Sequence, residues 1–180
     1  MVHRLEADQA AILEKEVTEQ EIKEVVFSIN PNKAPGPDGV NGFFFQKMWY
    51  LIGGEVTQAI KSFFGSGKLL REVNNTYIAL IPKKQNSAQL NDFRPISCCN
   101  FLYKCISMLL ANRLKRMLPD VINHAQSAFI PGRSIEDNIM LAQELMHNYH
   151  RRDSPTRCTI KVDLMKAYDT IRWDFLLKLL

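Results

Sequence analysis

Residues 160–173, Ile-Lys-Val-Asp-Leu-Met-Lys-Ala-Tyr-Asp-Thr-Ile-Arg-Trp, set a short β-branched run directly before a carboxylate, with an aromatic residue five positions beyond it. Asp174-Phe175-Leu176-Leu177-Lys178-Leu179-Leu180 then reads as helix, so the stretch predicts a strand ending at Asp163, a turn and a helix start. Asp163 at the strand exit serves either as a turn former or as a ligand for Mg²⁺, which takes one or two protein carboxylates and fills its shell with phosphate and water oxygens.

Upstream, Thr18 and Glu21 form a capping box, and Val17 with Ile22 a hydrophobic staple. They predict a helix from Glu19 with Ile22, Val25, Val26 and Ile29 on one face, preceded by a short helix before Glu16. Residues 30–39, with three prolines and two glycines, end it in a turn. From Gly42 to Phe64, Phe44, Phe45, Met48, Ile52, Val56, Ile60 and Phe63 recur at helical spacing and predict two core helices broken at Gly53-Gly54 and closed by Gly65-Ser66-Gly67. The runs 76–81 and 93–97 predict a hairpin that brings Lys83 and Arg94 to one end, where they are either a solvated basic loop or an anion grip.

Asn100 suits the N-cap of a helix over 101–118 that buries Tyr103, Ile106, Leu110, Leu114 and Met117, with Pro119 beyond its end. Arg113, Lys115 and Arg116 fall in its last turns and complement the dipole, with phosphate contact as a further option. Ser134 and Asp137 open a helix to about Arg151. His147 and His150 lack acidic or cysteine partners and read as surface histidines. Arg151, Arg152 and Arg157 are either a solvated face, the commoner case for a charge run, or contacts to a nucleic-acid backbone.

With 46% hydrophobic and 23% charged residues the chain is of ordinary globular type, and a net charge of +4 permits a nucleic-acid partner without requiring one. Cys98, Cys99, Cys105 and Cys158 have neither metal-ligand nor disulfide-framework spacing, which predicts reduced, buried thiols and an intracellular protein, nuclear or cytoplasmic. No run is apolar enough to span a membrane. The closing apolar run has no C-cap glycine, so the chain reads as a truncated segment.

Five strings, in order, resemble motifs of the reverse transcriptases of LINE-type retrotransposons, which lack long terminal repeats. They are Asn-Lys-Ala-Pro-Gly-Pro-Asp-Gly (32–39), Leu-Ile-Pro-Lys (80–83), Asp-Phe-Arg-Pro-Ile-Ser (92–97), Gln-Ser-Ala-Phe-Ile-Pro-Gly-Arg-Ser (126–134) and the run around Asp163. The resemblance implies an α+β, partial right-hand polymerase: residues 1–17 as the remainder of an upstream connection, 18–157 as helical fingers with a small β-hairpin, and 158–180 as the first palm strand and its helix.

It further implies Asp163 as the catalytic carboxylate, binding Mg²⁺ (Mn²⁺ as a substitute) with the Leu164 carbonyl. Lys83 and Arg94 would grip the triphosphate; Leu164, Lys166, Ala167 and Tyr168 would line the nucleotide, Tyr168 excluding a 2′-hydroxyl. Lys33 and Arg133 would meet nucleic acid. The implied partners are an RNA template, a DNA primer and deoxynucleoside triphosphates. The family's paired-aspartate motif is missing from these 180 residues, so the chain alone is expected not to polymerise. A non-catalytic nucleic-acid-binding remnant is the alternative. A metal-dependent hydrolase built on Asp163 ranks lower, because no further ligands accompany it.

Overall fold

The computed structural model describes residues 7–147, 149, 158–163 and 170–179, which fall into two compact units, one ending at Ser134 and one starting at Ile135. In the first unit, α1 spans Ala7–Glu14, α2 Glu19–Ser28, α3 Gly42–Lys47, α4 Trp49–Ser66 and α5 Arg71–Asn74. They are followed by strands β1 (Thr76–Pro82) and β2 (Phe93–Cys99) and the long helix α6 (Phe101–Val121).

Helix α2 begins where the capping residue dictates: Thr18 is extended and its Oγ1 accepts the Glu21 N–H at 3.1 Å. The other half of the capping box is absent, because the Glu21 carboxylate turns to Arg113. Val17 and Ile22 are both buried in one core with Val25, Val26, Ile29, Val56, Ile60, Phe101, Cys105, Ile106 and Leu109, contributed by α2, α4 and α6. Phe45 adds a ring stacked on Phe101, 4.5 Å between centroids. At the far end of α2 the Gln46 side-chain amide donates to the carbonyls of Val26 and Ile29 (2.9 and 2.8 Å), tying α3 to its C-terminus.

The expected break at Gly53-Gly54 falls instead at Met48. Gly53 is buried inside α4, and a Cβ there would stand 2.9 Å from the Trp49 ring, so the glycine makes room for an aromatic side chain one turn back. Phe44 is exposed rather than core. Helix α4 ends as anticipated, with Gly67 in the left-handed region at φ +67°.

β1 and β2 pair antiparallel, from Thr76 opposite Cys99 to Pro82 opposite Phe93, and form the two-stranded sheet. Helix α6 departs from expectation in three ways. It runs on through Pro119 to Val121. Its buried stripe is Cys105, Leu109, Arg113 and Met117 while Leu110 and Leu114 are exposed, and Asn100 sits at its N-cap position without a side-chain capping bond. Of the cysteines only Cys105 is buried, and burial pushes its thiol up to about 12, whereas Cys158 is exposed.

In the second unit, α7 covers Ile135–Met146, shorter than the expected helix to Arg151, and α8 covers Trp173–Leu179. Residues 158–163 carry no strand: Ile160 and Val162 are exposed, and among the described residues no segment pairs with them. A lone β-branched run has no ladder to complete, so the expected first palm strand is absent from the described residues.

Candidate functional site

The loop between β1 and β2 is a built structure. Its ladder extends one step past Pro82, the Lys83 N–H donating to the Asp92 carbonyl at 2.8 Å. Asp92 organises the rest: it pairs with Lys84 at 2.7 Å and accepts the N–H groups of Ala88 and Gln89. The Lys84 hydrogen bond, followed by that from Gln89, holds the Asp92 carboxyl below its ordinary range. Asn86 takes φ +59°, a left-handed conformation that asparagine tolerates in turns.

This frame positions the two cations picked out in the sequence. Ile81 lies opposite Arg94, and Lys83 follows Ile81 by two residues, so the pleat places Lys83 and Arg94 on one face at the loop end. The Lys83 ammonium donates to the Asn91 carbonyl at 2.8 Å. The Arg94 guanidinium is exposed and has no hydrogen-bond or ion-pair partner among the described residues. Beside them, Pro82 to Ser87 and Phe93 line an open cleft.

The Pro-rich motif at 32–39 is buttressing rather than free loop. Gly36 is buried against the N-terminus of α6, where a Cβ would lie 2.2 Å from Asn100 Oδ1 and 2.4 Å from its backbone nitrogen. Asn100 Oδ1 accepts the Asp38 N–H (3.2 Å), and its Nδ2 donates to the carbonyls of Glu72 and Val73 (2.8 and 3.3 Å). Lys104 Nζ donates to the Ala34 carbonyl at 2.6 Å. Lys33 remains exposed in the turn.

Arg133, expected to meet a phosphate, has its guanidinium on backbone oxygens instead. Nη1 donates to Asn123 and Gln126 (2.7 Å each), and Nη2 to Pro119 and Ile122 (2.9 Å each), closing the C-terminal end of α6. Arg113, read as a dipole-complementing residue in the last turns, is buried in mid-helix. It makes a two-pronged pair with Glu21, both contacts 3.0 Å, and donates to the carbonyls of Leu13 and Lys15. The sequence held a signal for this pairing: an arginine in step with Leu109 and Met117, and a glutamate already placed at a helix start.

Asp163 lies in the second unit, exposed and without a partner among the described residues. Leu164, Lys166, Ala167 and Tyr168 lie outside the described residues, as do His150, Arg151, Arg152 and Arg157. His147 sits in the turn after α7. No group of three or more His, Cys, Asp or Glu side chains suited to a metal occurs among the described residues.

Against known proteins, the family model described as reverse transcriptase (RNA-dependent DNA polymerase) matches residues 81–180. The chain is 31% identical over 165 residues to the Transposon TX1 uncharacterized 149 kDa protein of Xenopus laevis, covering 92% of this chain and 12% of that protein. It is 26% identical over 172 residues to the Retrovirus-related Pol polyprotein from type-2 retrotransposable element R2DM of Drosophila melanogaster, covering 95% of this chain and 15% of that one. The chain thus spans under a sixth of the length of either relative.

Proposed function

Because the chain belongs to the reverse transcriptase (RNA-dependent DNA polymerase) family, with relatives among mobile-element proteins that agree with its LINE-type motifs, we propose that it contributes the nucleotide-gripping portion of a retrotransposon polymerase. Its substrates would be deoxynucleoside triphosphates, added to a DNA primer along an RNA template. The observation that carries this reading is the hairpin end: Arg94, exposed and without a hydrogen-bond or ion-pair partner among the described residues, on the same face as Lys83. A guanidinium offers phosphate a planar two-pronged donor and an ammonium a point charge, so the pair suits an extended polyphosphate. Arg94 is the stronger arm, because Lys83 already donates to Asn91.

Asp163 supplies the carboxylate for Mg²⁺ or Mn²⁺. It is exposed and has no partner among the described residues, which fits an ion that keeps waters and phosphate oxygens in its shell. When bound, Mg²⁺ supplies the charge stabilisation and the acidification of a primer hydroxyl on which phosphoryl transfer depends. On the motif alone, the Leu164 carbonyl would join it, Lys166 and Ala167 would line the nucleotide, and Tyr168 would stack under the sugar. Lys33 remains available for a nucleic-acid phosphate. We place Arg133 outside direct contact, as the residue that builds the 123–134 loop.

One carboxylate does not hold two metal ions, so the 180-residue chain by itself should bind a nucleotide without extending a primer. Titration of dTTP with Mg²⁺ into the chain tests this. Arg94→Ala should weaken binding about tenfold, the scale of a charge-assisted contact, and Lys83→Ala less. Undiminished binding by Arg94→Ala, or primer extension by the chain alone, would overturn the reading.

A further inference from the structure

The loop between β1 and β2 carries a hydroxyl that nucleotide binding does not use. Ser87 is half-buried there, its Oγ within hydrogen-bonding reach of the Lys84 carbonyl at 2.8 Å and the Asp92 carbonyl at 3.4 Å. It lines the same open cleft as Lys83 and Lys84, and those two cations stand four and three residues ahead of it in the chain. Its neighbours Gln85, Asn86 and Ala88 are exposed. A protein kinase needs its acceptor hydroxyl on a segment that can leave the fold, and kinases select substrates by the pattern of charge around that hydroxyl. Ser87 meets both demands. The contacts that close the 84–89 stretch converge on Asp92, which takes Lys84 and the amides of Ala88 and Gln89, so the loop opens at one residue while the ladder from Thr76 to Pro82 stays paired. The two lysines supply the basic approach that an acidic kinase groove reads.

Charge gives the modification a consequence. Between positions 83 and 94, Lys83, Lys84 and Arg94 are set against one carboxylate, Asp92, which leaves two positive charges. A phosphoserine brings about 1.5 to 2 negative charges at neutral pH, with three strong acceptor oxygens. A single phosphoryl group on Ser87 therefore cancels the charge of the hairpin end and offers the cleft's lysines an anion within their own loop. We propose that Ser87 is a phosphorylation site for a protein kinase that reads basic residues, and that its phosphate switches off the anion grip of Lys83 and Arg94. In the transfer, Ser87 Oγ attacks the γ-phosphorus of ATP and a new O–P bond forms. The bond from that phosphorus to the β,γ-bridging oxygen breaks, ADP leaves with its electron pair, and the hydroxyl proton passes to the kinase's base. The switch rests on the nucleotide-gripping function proposed above; the site does not.

The full chain, incubated with the catalytic domain of protein kinase C and γ-labelled ATP and mapped by peptide mass spectrometry, tests the site. Ser87 should take up a phosphoryl group, Ser87→Thr should still be labelled, and Ser87→Ala should carry no label on that peptide. Lys83→Gln combined with Lys84→Gln should slow labelling about tenfold, the scale of a lost charge-assisted contact. Asp92→Asn opens the loop but keeps both lysines, and should quicken it, which separates recognition of charge from mere exposure. Titration of dTTP with Mg²⁺ then tests the switch: the phosphorylated chain should bind at least about tenfold more weakly, and phosphatase treatment should restore its affinity. No label at Ser87, label confined to Ser154, which two arginines also precede, or labelling that the double lysine variant does not slow overturns the site. Phosphorylation of Ser87 that leaves dTTP binding unchanged overturns the switch, while Arg94-dependent binding keeps the proposed function standing. Labelled Ser87 in a chain that binds no dTTP before or after phosphatase treatment sinks that function and spares the site.

Discussion

Arg113 occupies a position on α6 that periodicity assigns to an apolar side chain, and it is accommodated because every face of its guanidinium is answered. Glu21 takes two donors, the carbonyls of Leu13 and Lys15 take Nη1, and the Phe64 ring lies 5.8 Å away. The Arg113 hydrogen bonds hold the Glu21 carboxyl below its ordinary value of 4.5. A carboxyl lowered on folding stabilises the fold above its unfolded pKa, and this contribution is lost as pH falls through the folded value. Urea unfolding should thus show stability dropping below about pH 4.5, with a smaller drop in Glu21→Gln. At neutral pH that variant should be less stable by about 2 kcal/mol, since it leaves a buried cation unpaired. A different residue-scale test is Gly36→Ala, whose methyl would meet the backbone of Cys99 and Asn100 as well as the Asn100 side chain. Backbone cannot swing aside, so the change should cost about 2–3 kcal/mol in a denaturant titration. Glu21 was legible as a capping residue and Gly36 as a turn glycine. Their actual partners, 92 and 64 positions away in the chain, were not.

Helices and strands followed local chemistry closely where local chemistry had only one outlet. The Thr18 cap, the left-handed Gly67 and the hairpin over β1 and β2 all stand where the sequence puts them. The pair Gly53-Gly54 had two outlets, a helix break or a close packing contact, and Trp49 selected the second. The two glycines should therefore respond differently. Gly54→Ala meets nothing within 4 Å and should stabilise α4 by up to about 1 kcal/mol through helix propensity, whereas Gly53→Ala collides with the indole and should not. Thermal melts of the two single variants distinguish them. At the other end of the unit, Arg133→Ala removes the donors to four carbonyls that include the last turn of α6. Hydrogen exchange should quicken at Ile122 and Arg133, whose amides are bonded within this region, and stay unchanged in α2.

Among the described residues, burial is concentrated in one of the two units. The core of α2, α4 and α6 lies before Ser134, whereas α7 buries no residue and Ile160 and Val162 are exposed. Limited proteolysis should accordingly cut within 158–163 and α7 before it touches α2 or α6, and protection of α7 equal to that of α6 would contradict this picture. No described helix is long and apolar enough to cross a membrane. The sequence by itself determined which stretches become helix or hairpin and which motifs mark the family, because caps, turn glycines, periodicity and short strings act within a few residues of one another. It brought Lys83 and Arg94 together for the same reason, a hairpin being a local object. Tertiary structure alone decided that Asn100 ties three segments, that Arg113 is buried, that Arg133 closes a helix end and that Phe129 stands out in water. Each of those outcomes depends on which backbone carbonyls and side chains arrive from distant positions to satisfy or strand a group, and that is settled only when the chain has packed.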